Sequence, residues 1–203
     1  MKGFLFTLLI LLQSNILFAN DGAYFMSGNQ LVPIKESSVQ VRKEILSLKR
    51  VANDFLEVTV DYTFFNPEKT SKTILVGFEA FSPSGDADFY PKNGQHPYMN
   101  DFTVNLNQKV LPYEISYVST EDAKKEISLK DIETNIKEFD YAEFYYVYHF
   151  NATFKPGENR LVHTYRFRLS GSVDYLYNFE YILTAANRWA NNKIDDFTLT
   201  IDM

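Results

Sequence analysis

No cysteine occurs among the 203 residues of the chain. That absence excludes disulfide staples, thiol nucleophiles, thiolate metal sites and lipid attachment through a lipobox cysteine. Histidine is nearly as scarce, with three in the whole sequence. Basic residues are outnumbered, 20 Lys and Arg against 26 Asp and Glu. With no basic stripe to override that balance, phosphate backbones and anionic membrane surfaces are repelled, so nucleic acid is disfavoured as a partner. Internal repeats, low-complexity tracts and a G-x-S-x-G nucleophile elbow are also missing.

Long apolar runs are missing too. Phe4 to Leu12 is interrupted by Gln13, Ser14 and Asn15 before Ile16 to Phe18. A membrane-spanning helix needs about 20 consecutive apolar residues. Lys2 before the run and Ala19 after it have the layout of a signal peptide, with cleavage near Ala19 and a periplasmic or extracellular destination. Residues 1–19 are read as that leader and 20–203 as one domain; loss of Lys2 takes the formal net charge from −6 to −7. No insertion into a membrane is expected after cleavage.

Apolar residues make up 45% of the sequence and aromatics 16%, enough for a core that carries stability without staples. They alternate. Leu56, Val58, Val60, Tyr62 and Phe64 share one face of a strand, with Glu57, Thr59, Asp61 and Thr63 on the other. Asn66-Pro67-Glu68-Lys69 then turns the chain, and Ile74, Val76, Phe78 and Ala80 repeat the pattern, which predicts a long hairpin. Phe144 to Phe154, Leu161 to Leu169 and Tyr175 to Leu183 each form a further aromatic row, and Phe197, Leu199 and Ile201 begin a last strand. Val39 to Leu48 is a less tidy strand, and Phe102 to Leu106 turns at Asn107-Gln108 into Leu111 to Val118. About eight strands at this spacing predict an all-β, antiparallel sandwich. Helical spacing of Ile132, Ile136 and Phe139 behind the capping pattern Ser128-x-x-Asp131 predicts a short helical insertion near 120–139.

Chemistry-bearing residues are sparse. Asp86 and Asp88, with His96, lie in the polar stretch 81–101, and carboxylates on such a loop can ligate calcium. The full D-x-D-x-D-G pattern and its distal glutamate are absent, so a solvated acidic loop is the favoured reading and no cofactor is expected. His163 falls on an apolar face, as a packed core residue with a tyrosine or carbonyl partner; His149 falls on the opposite face of its strand and is expected to be exposed. Tyr90, Tyr98 and Tyr145 are the tyrosines expected at the surface, where a ring can stack on a sugar or a protein partner. Arg188 and Trp189 form either an exposed hot spot or, for the indole, a plug at the end of the sandwich.

Several short motifs also carry a resemblance. Asn20-Asp21-Gly22 is followed by Phe65-Asn66-Pro67, then by Phe154-Lys155-Pro156-Gly157-Glu158 leading to His163-Thr164-Tyr165. Tyr181-Ile182-Leu183-Thr184 comes next, with Trp189 and Ile194 beyond it. In this order the chain resembles a family of uncharacterised secreted bacterial β-sandwich proteins, some of which carry a C-terminal YARHG domain. The resemblance implies export and a sandwich and brings no catalytic residues. No Tyr-Ala-Arg-His-Gly run is present, so on this resemblance the chain either stands alone or belongs to a longer protein.

The expected function is an exported, non-enzymatic binding or interaction module at the cell envelope, with a protein partner favoured over a glycan. A metal-dependent hydrolase using the 81–101 loop is the alternative, as is a structural spacer of a longer envelope protein.

Overall fold

In the computed structural model the described residues are 21–27, 30–52, 54–82, 88–122, 125–135, 143–171, 177–179, 181 and 184–203. The expected leader and Asp86 lie outside them. Along the chain run β1 (Asp21–Ser27), β2 (Gln30–Pro33), β3 (Gln40–Ala52), β4 (Phe55–Asn66), β5 (Lys72–Phe81), β6 (Met99–Leu106), β7 (Lys109–Val110) and β8 (Glu114–Ser119). There follow β9 (Glu126–Ile127), α1 (Leu129–Asn135), β10 (Phe144–Phe154), β11 (Gly157–Arg168), β12 (Ser170–Gly171), β13 (Tyr177–Asn178), a 3-10 turn (Thr184–Arg188) and β14 (Ile194–Asp202).

Two six-stranded sheets form a sandwich, one in the order β2-β1-β5-β10-β8-β9 and the other β14-β3-β4-β11-β6-β7. The alternating rows Leu56 to Phe64, Ile74 to Phe78, Phe144 to Phe154 and Leu161 to Tyr165 are its inner faces. Phe64 of β4 meets Phe154 of β10 at 5.1 Å between ring centroids, and Phe102 of β6 meets Tyr148 of β10 at 4.7 Å. Tilted aromatic contacts at this separation are favourable beyond the apolar area they bury.

The connections differ from those expected. β4 and β5 do not form a hairpin: β4 pairs with β3 and β11 in one sheet, β5 with β1 and β10 in the other. Asn66-Pro67 is a corner at which the chain changes sheet, and Lys155-Pro156 is a second such corner between β10 and β11. Alternation is the same for strands that lie side by side and strands that face each other across a core. At the first corner Asn66 Nδ2 donates to Thr70 O (3.0 Å) and Phe154 O (3.1 Å). At the second, Asn159 Oδ1 accepts from Lys155 N (2.9 Å) while its Nδ2 donates to Lys155 O (2.8 Å). Gly157 has φ +82°, a backbone region natural to glycine.

Other elements were absent from the sequence reading or shorter than expected. β1 and β2 are additions, and β14 pairs with β3 in parallel, so the second sheet is mixed. Of the helical insertion the described residues hold α1 alone, its N-terminus capped by Ser128, whose Oγ accepts from Asp131 N at 3.1 Å. Of the long strand expected over 175–183 the described residues hold Tyr177–Asn178, a two-residue strand paired with Ser170–Gly171; Thr184–Arg188 beyond it is a 3-10 turn. Asn107 and Gln108, both left-handed at φ 51° and 70°, make the tight turn from β6 to β7.

A second apolar cluster covers the outer face of the first sheet, from Tyr24, Leu31, Val118, Tyr145 and Val147. Gly77 lies beneath it. A Cβ there would sit 2.5 Å from Tyr24 Cε2 and 2.7 Å from Val147 Cγ1, so the ring of Tyr24 packs directly on the glycine backbone.

Candidate functional site

Asp21, Glu44 and His163 are buried inside the sandwich. β1 pairs Asp21 with Phe78, an inward residue of β5, which points the Asp21 carboxylate into the core. β11 brings His163 to the same level, and its Nε2 lies 2.6 Å from Asp21 Oδ2. Both side chains are 0% exposed. Phe102 stacks on the imidazole at 5.4 Å, with Phe78 and Phe150 each at 5.5 Å. His163 is therefore a core residue as expected, but its partner is a carboxylate and not a tyrosine or carbonyl.

Glu44 of β3 belongs to the same interior. Its Oε1 accepts from the Tyr181 hydroxyl at 2.8 Å, and Tyr181 in turn lies 3.2 Å from the hydroxyl of Tyr62. Burial raises the Glu44 pKa to about 8; the Asp21 carboxylate pushes in the same direction, and the tyrosine hydroxyls pull against it. The phenols of Tyr62, Tyr165 and Tyr181 are raised, chiefly by burial. Asp21 Oδ1, Glu44 Oε2 and His163 Nδ1 have no hydrogen-bond partner among the described residues. Such a cluster can hold protons; Asp21, Glu44 and His163 are buried, while Tyr181 is half-buried.

The residues singled out in the 81–101 stretch are separated by environment. Asp88 is exposed, 3.1 Å from Lys92 Nζ, and its carboxylate caps Tyr90 N at 3.2 Å. His96 is buried. Its Nδ1 accepts from Tyr98 N (3.2 Å) and its Nε2 lies 2.8 Å from Phe81 O, so both nitrogens are occupied. Burial lowers its pKa to about 4, against a smaller opposite pull from the Phe81 carbonyl. Among the described residues no group of three or more His, Cys, Asp or Glu could hold a metal ion.

Tyr90 and Tyr98 are half-buried, each with part of its ring at the surface. Tyr145 is not exposed: it is 6% accessible and stacks with Phe81 at 5.2 Å on the outer face of the first sheet. Burial raises its phenol to about 12, with the carboxylate of Glu79 adding to the rise. His149, likewise expected outside, is buried on that face with its Nε2 3.1 Å from Ser116 Oγ. Both corrections have one cause: period-two alternation names two faces, and here both faces of β10 are covered. Trp189 is a plug, fully buried, donating Nε1–H to Asp21 O at 2.7 Å and meeting Phe64 at 4.6 Å. Arg188 is held by Glu79 at 2.6 Å and lies over the ring of Tyr24, whose hydroxyl donates to the same carboxylate. The structure thus gathers Arg188, Glu79 and Tyr24 beside Tyr145 and places Trp189 in the core.

The open surface lies elsewhere. β14 is the outermost strand of its sheet, and Phe197, Leu199, Ile201 and the following Met203 are 39%, 48%, 55% and 73% exposed. Phe197, Leu199 and Ile201 sit opposite Glu44, Leu46 and Leu48 of β3, so they extend the inward face past the rim of the sandwich. No described helix is long and apolar enough to cross a membrane.

No family model matches the chain, and neither does any curated protein. The fold is similar to the crystal structure of a protein of Legionella pneumophila provisionally named a nutrient binding protein. That similarity has a TM-score of 0.55 at 15% sequence identity over 85% of this chain and 51% of that one. The chain therefore spans about half the length of that protein, and identity at this level speaks to the fold alone. A CBM3a-L domain from a Clostridium thermocellum cellulosome scaffoldin aligns at 9% identity over 74% of this chain and 83% of that one, with a TM-score of 0.28, too low to support any inference.

Proposed function

We propose that the chain is an exported, non-enzymatic binding module of the bacterial envelope whose partner is a protein, engaged at the open edge of β14. The exposed apolar row Phe197, Leu199 and Ile201, on a strand whose outer edge pairs with no strand among the described residues, carries this reading. An edge strand presents free N–H and C=O groups to any extended segment, and proteins usually blunt such edges with lysine, proline or a bulge. Between Ile194 and Asp202 there is no lysine, no proline and no register shift. The structural neighbour's name, a nutrient binding protein, supports binding in general, and the Lys2-to-Ala19 leader pattern supports export. A glycan partner is less favoured because the described aromatics are mostly packed or half-buried.

Two measurements test this. The melting temperature of the mature chain should stay flat against calcium, chelator and a soluble glycan panel, since a ligand at a hundredfold excess over its Kd would add about 2.7 kcal/mol of stability. A photo-reactive residue at Thr200 in the producing cell should form a protein adduct that Leu199→Asp removes, whereas one at Tyr90 should not. A glycan-dependent shift, or adducts at position 90 alone, would replace this reading with a sugar-binding one; a calcium shift reversed by chelator would restore the Asp86 and Asp88 loop as a site.

A further inference from the structure

Resting on the reading of the chain as exported, we infer that the α-ammonium freed at Asn20 when the leader is removed is the counter-charge of the buried Asp21 carboxylate, so that cleavage completes the fold. Among the described residues Asp21, Glu36, Glu44 and Glu79 are buried acids, and no lysine or arginine is buried with them. A carboxylate taken out of water is ordinarily held by a cation, a proton or a full set of hydrogen bonds. Lys72 reaches in to Glu36 at 2.5 Å, and Arg188 reaches Glu79 at 2.6 Å. Glu44 sheds its charge instead, keeping its proton up to about 8. Asp21 is left with His163 alone.

His163 does not supply the charge. Its Nε2 meets Asp21 Oδ2 at 2.6 Å, while Nδ1 has no partner among the described residues and the ring lies among Phe78, Phe102 and Phe150. An imidazolium has two N–H donors and would strand one of them there; a neutral ring donating Nε2–H fits the site. Asp21 Oδ1 is likewise without a partner among the described residues. One carboxylate oxygen therefore remains to be satisfied, at the first residue of β1. Glu79, next in β5 to Phe78, the residue opposite Asp21, does not compete for a cation, being engaged by Arg188 and Tyr24.

Covalent geometry brings a positive charge to that oxygen. Hydrolysis of the Ala19–Asn20 peptide bond by a signal peptidase consumes one water, leaves a carboxylate on Ala19 and turns the amide nitrogen of Asn20 into an α-ammonium. That nitrogen lies within about 5 Å of Asp21 Cα in every conformation of Asn20, because the Cα–Cα step is about 3.8 Å and the N–Cα bond about 1.46 Å. Before cleavage the same nitrogen is a neutral amide. The leader thus withholds the charge, and its loss pins β1 at the residue whose carbonyl also holds Trp189.

The test compares the mature chain starting at Asn20 with the same chain α-acetylated, which removes the charge and little else. Acetylation should lower the melting temperature, and the free α-amine should titrate at least about one unit above its usual 7.7–8.0. Both effects should vanish in Asp21→Asn, which keeps the shape of the side chain. Should that variant not fold, a chain retaining Leu17 to Ala19 displaces the ammonium by three residues and should melt as the acetylated form does. Equal melting of the free and acetylated chains, with an α-amine titrating near its usual value, overturns the inference. The N-terminus of the protein from the producing cell separates it from the reading it rests on. A processed start other than Asn20 overturns the inference while export stands; a chain still carrying Met1 to Ala19 removes both.

Discussion

Asp21 and His163, 142 positions apart, meet at 2.6 Å in the middle of the sandwich with neither side chain reaching solvent. The contact fastens β1, the first described strand, to β11 in the opposite sheet. Trp189 fastens the same strand from below through the Asp21 carbonyl.

Removing one partner of a buried pair leaves the other stranded, at a cost of about 3–5 kcal/mol. Asp21→Ala and His163→Ala are each expected to lose stability on that scale in urea unfolding. The double variant should lose much less than the sum. Additive losses would show that the two side chains do not act as a pair.

Glu44 makes the protein sensitive to alkali. Its folded pKa, about 8, is above the usual 4.5, so the folded state binds the proton more tightly than the unfolded chain does. Its contribution is complete below the unfolded value and is lost as pH rises through 8, a change on the order of a few kcal/mol. Melting temperature should fall between about pH 6.5 and pH 8, and Glu44→Gln should flatten that limb. An unchanged slope in the variant would assign the alkaline loss to another group.

His96 acts in the other direction. Its folded pKa of about 4 is below the usual 6.5, so its stabilisation is present above 6.5 and is lost as pH falls through 4. The acid limb of the melting curve should be shallower in His96→Gln than in the parent. Between about 4.5 and 6.5 the His96 and Glu44 contributions slope oppositely and largely offset each other.

Gly77→Ala should cost about 1–3 kcal/mol, because the added Cβ overlaps the Tyr24 ring at 2.5 Å and Val147 at 2.7 Å. Hydrogen exchange should show the loss first in β1. A neutral substitution would mean that β1 can lift from β5 without penalty.

Much of the core was legible in sequence because Leu56 to Phe64 and Phe144 to Phe154 alternate without a break. The pairing was not legible. Alternation records that a face is buried but not whether the chain turns beside itself or across the core, and so β4 and β5 read as a hairpin. Asp21 and Glu44 escaped notice for different reasons. Asp21 stands at the start of a strand with no apolar row of its own to mark it. Glu44 does lie in phase with Leu46 and Leu48, an acid at a core position and a usable signal, but the register shift between Val41 and Lys43 blurred the pattern. Tyr145 and His149 read as outward because alternation looks the same in a strand covered on one face and a strand covered on both. The apolar ladder of β14 was visible; that it extends past the rim depended on its parallel pairing with β3, which no local pattern encodes.

Trp189 is the single indole of the chain, fully enclosed between Phe64 and Phe154, with its N–H spent on the first strand. The molecule thereby carries its own optical gauge. Emission on selective excitation reports one location, the junction of β1 with the core, and a red shift that precedes loss of the far-ultraviolet β signal would time the release of that strand without any label.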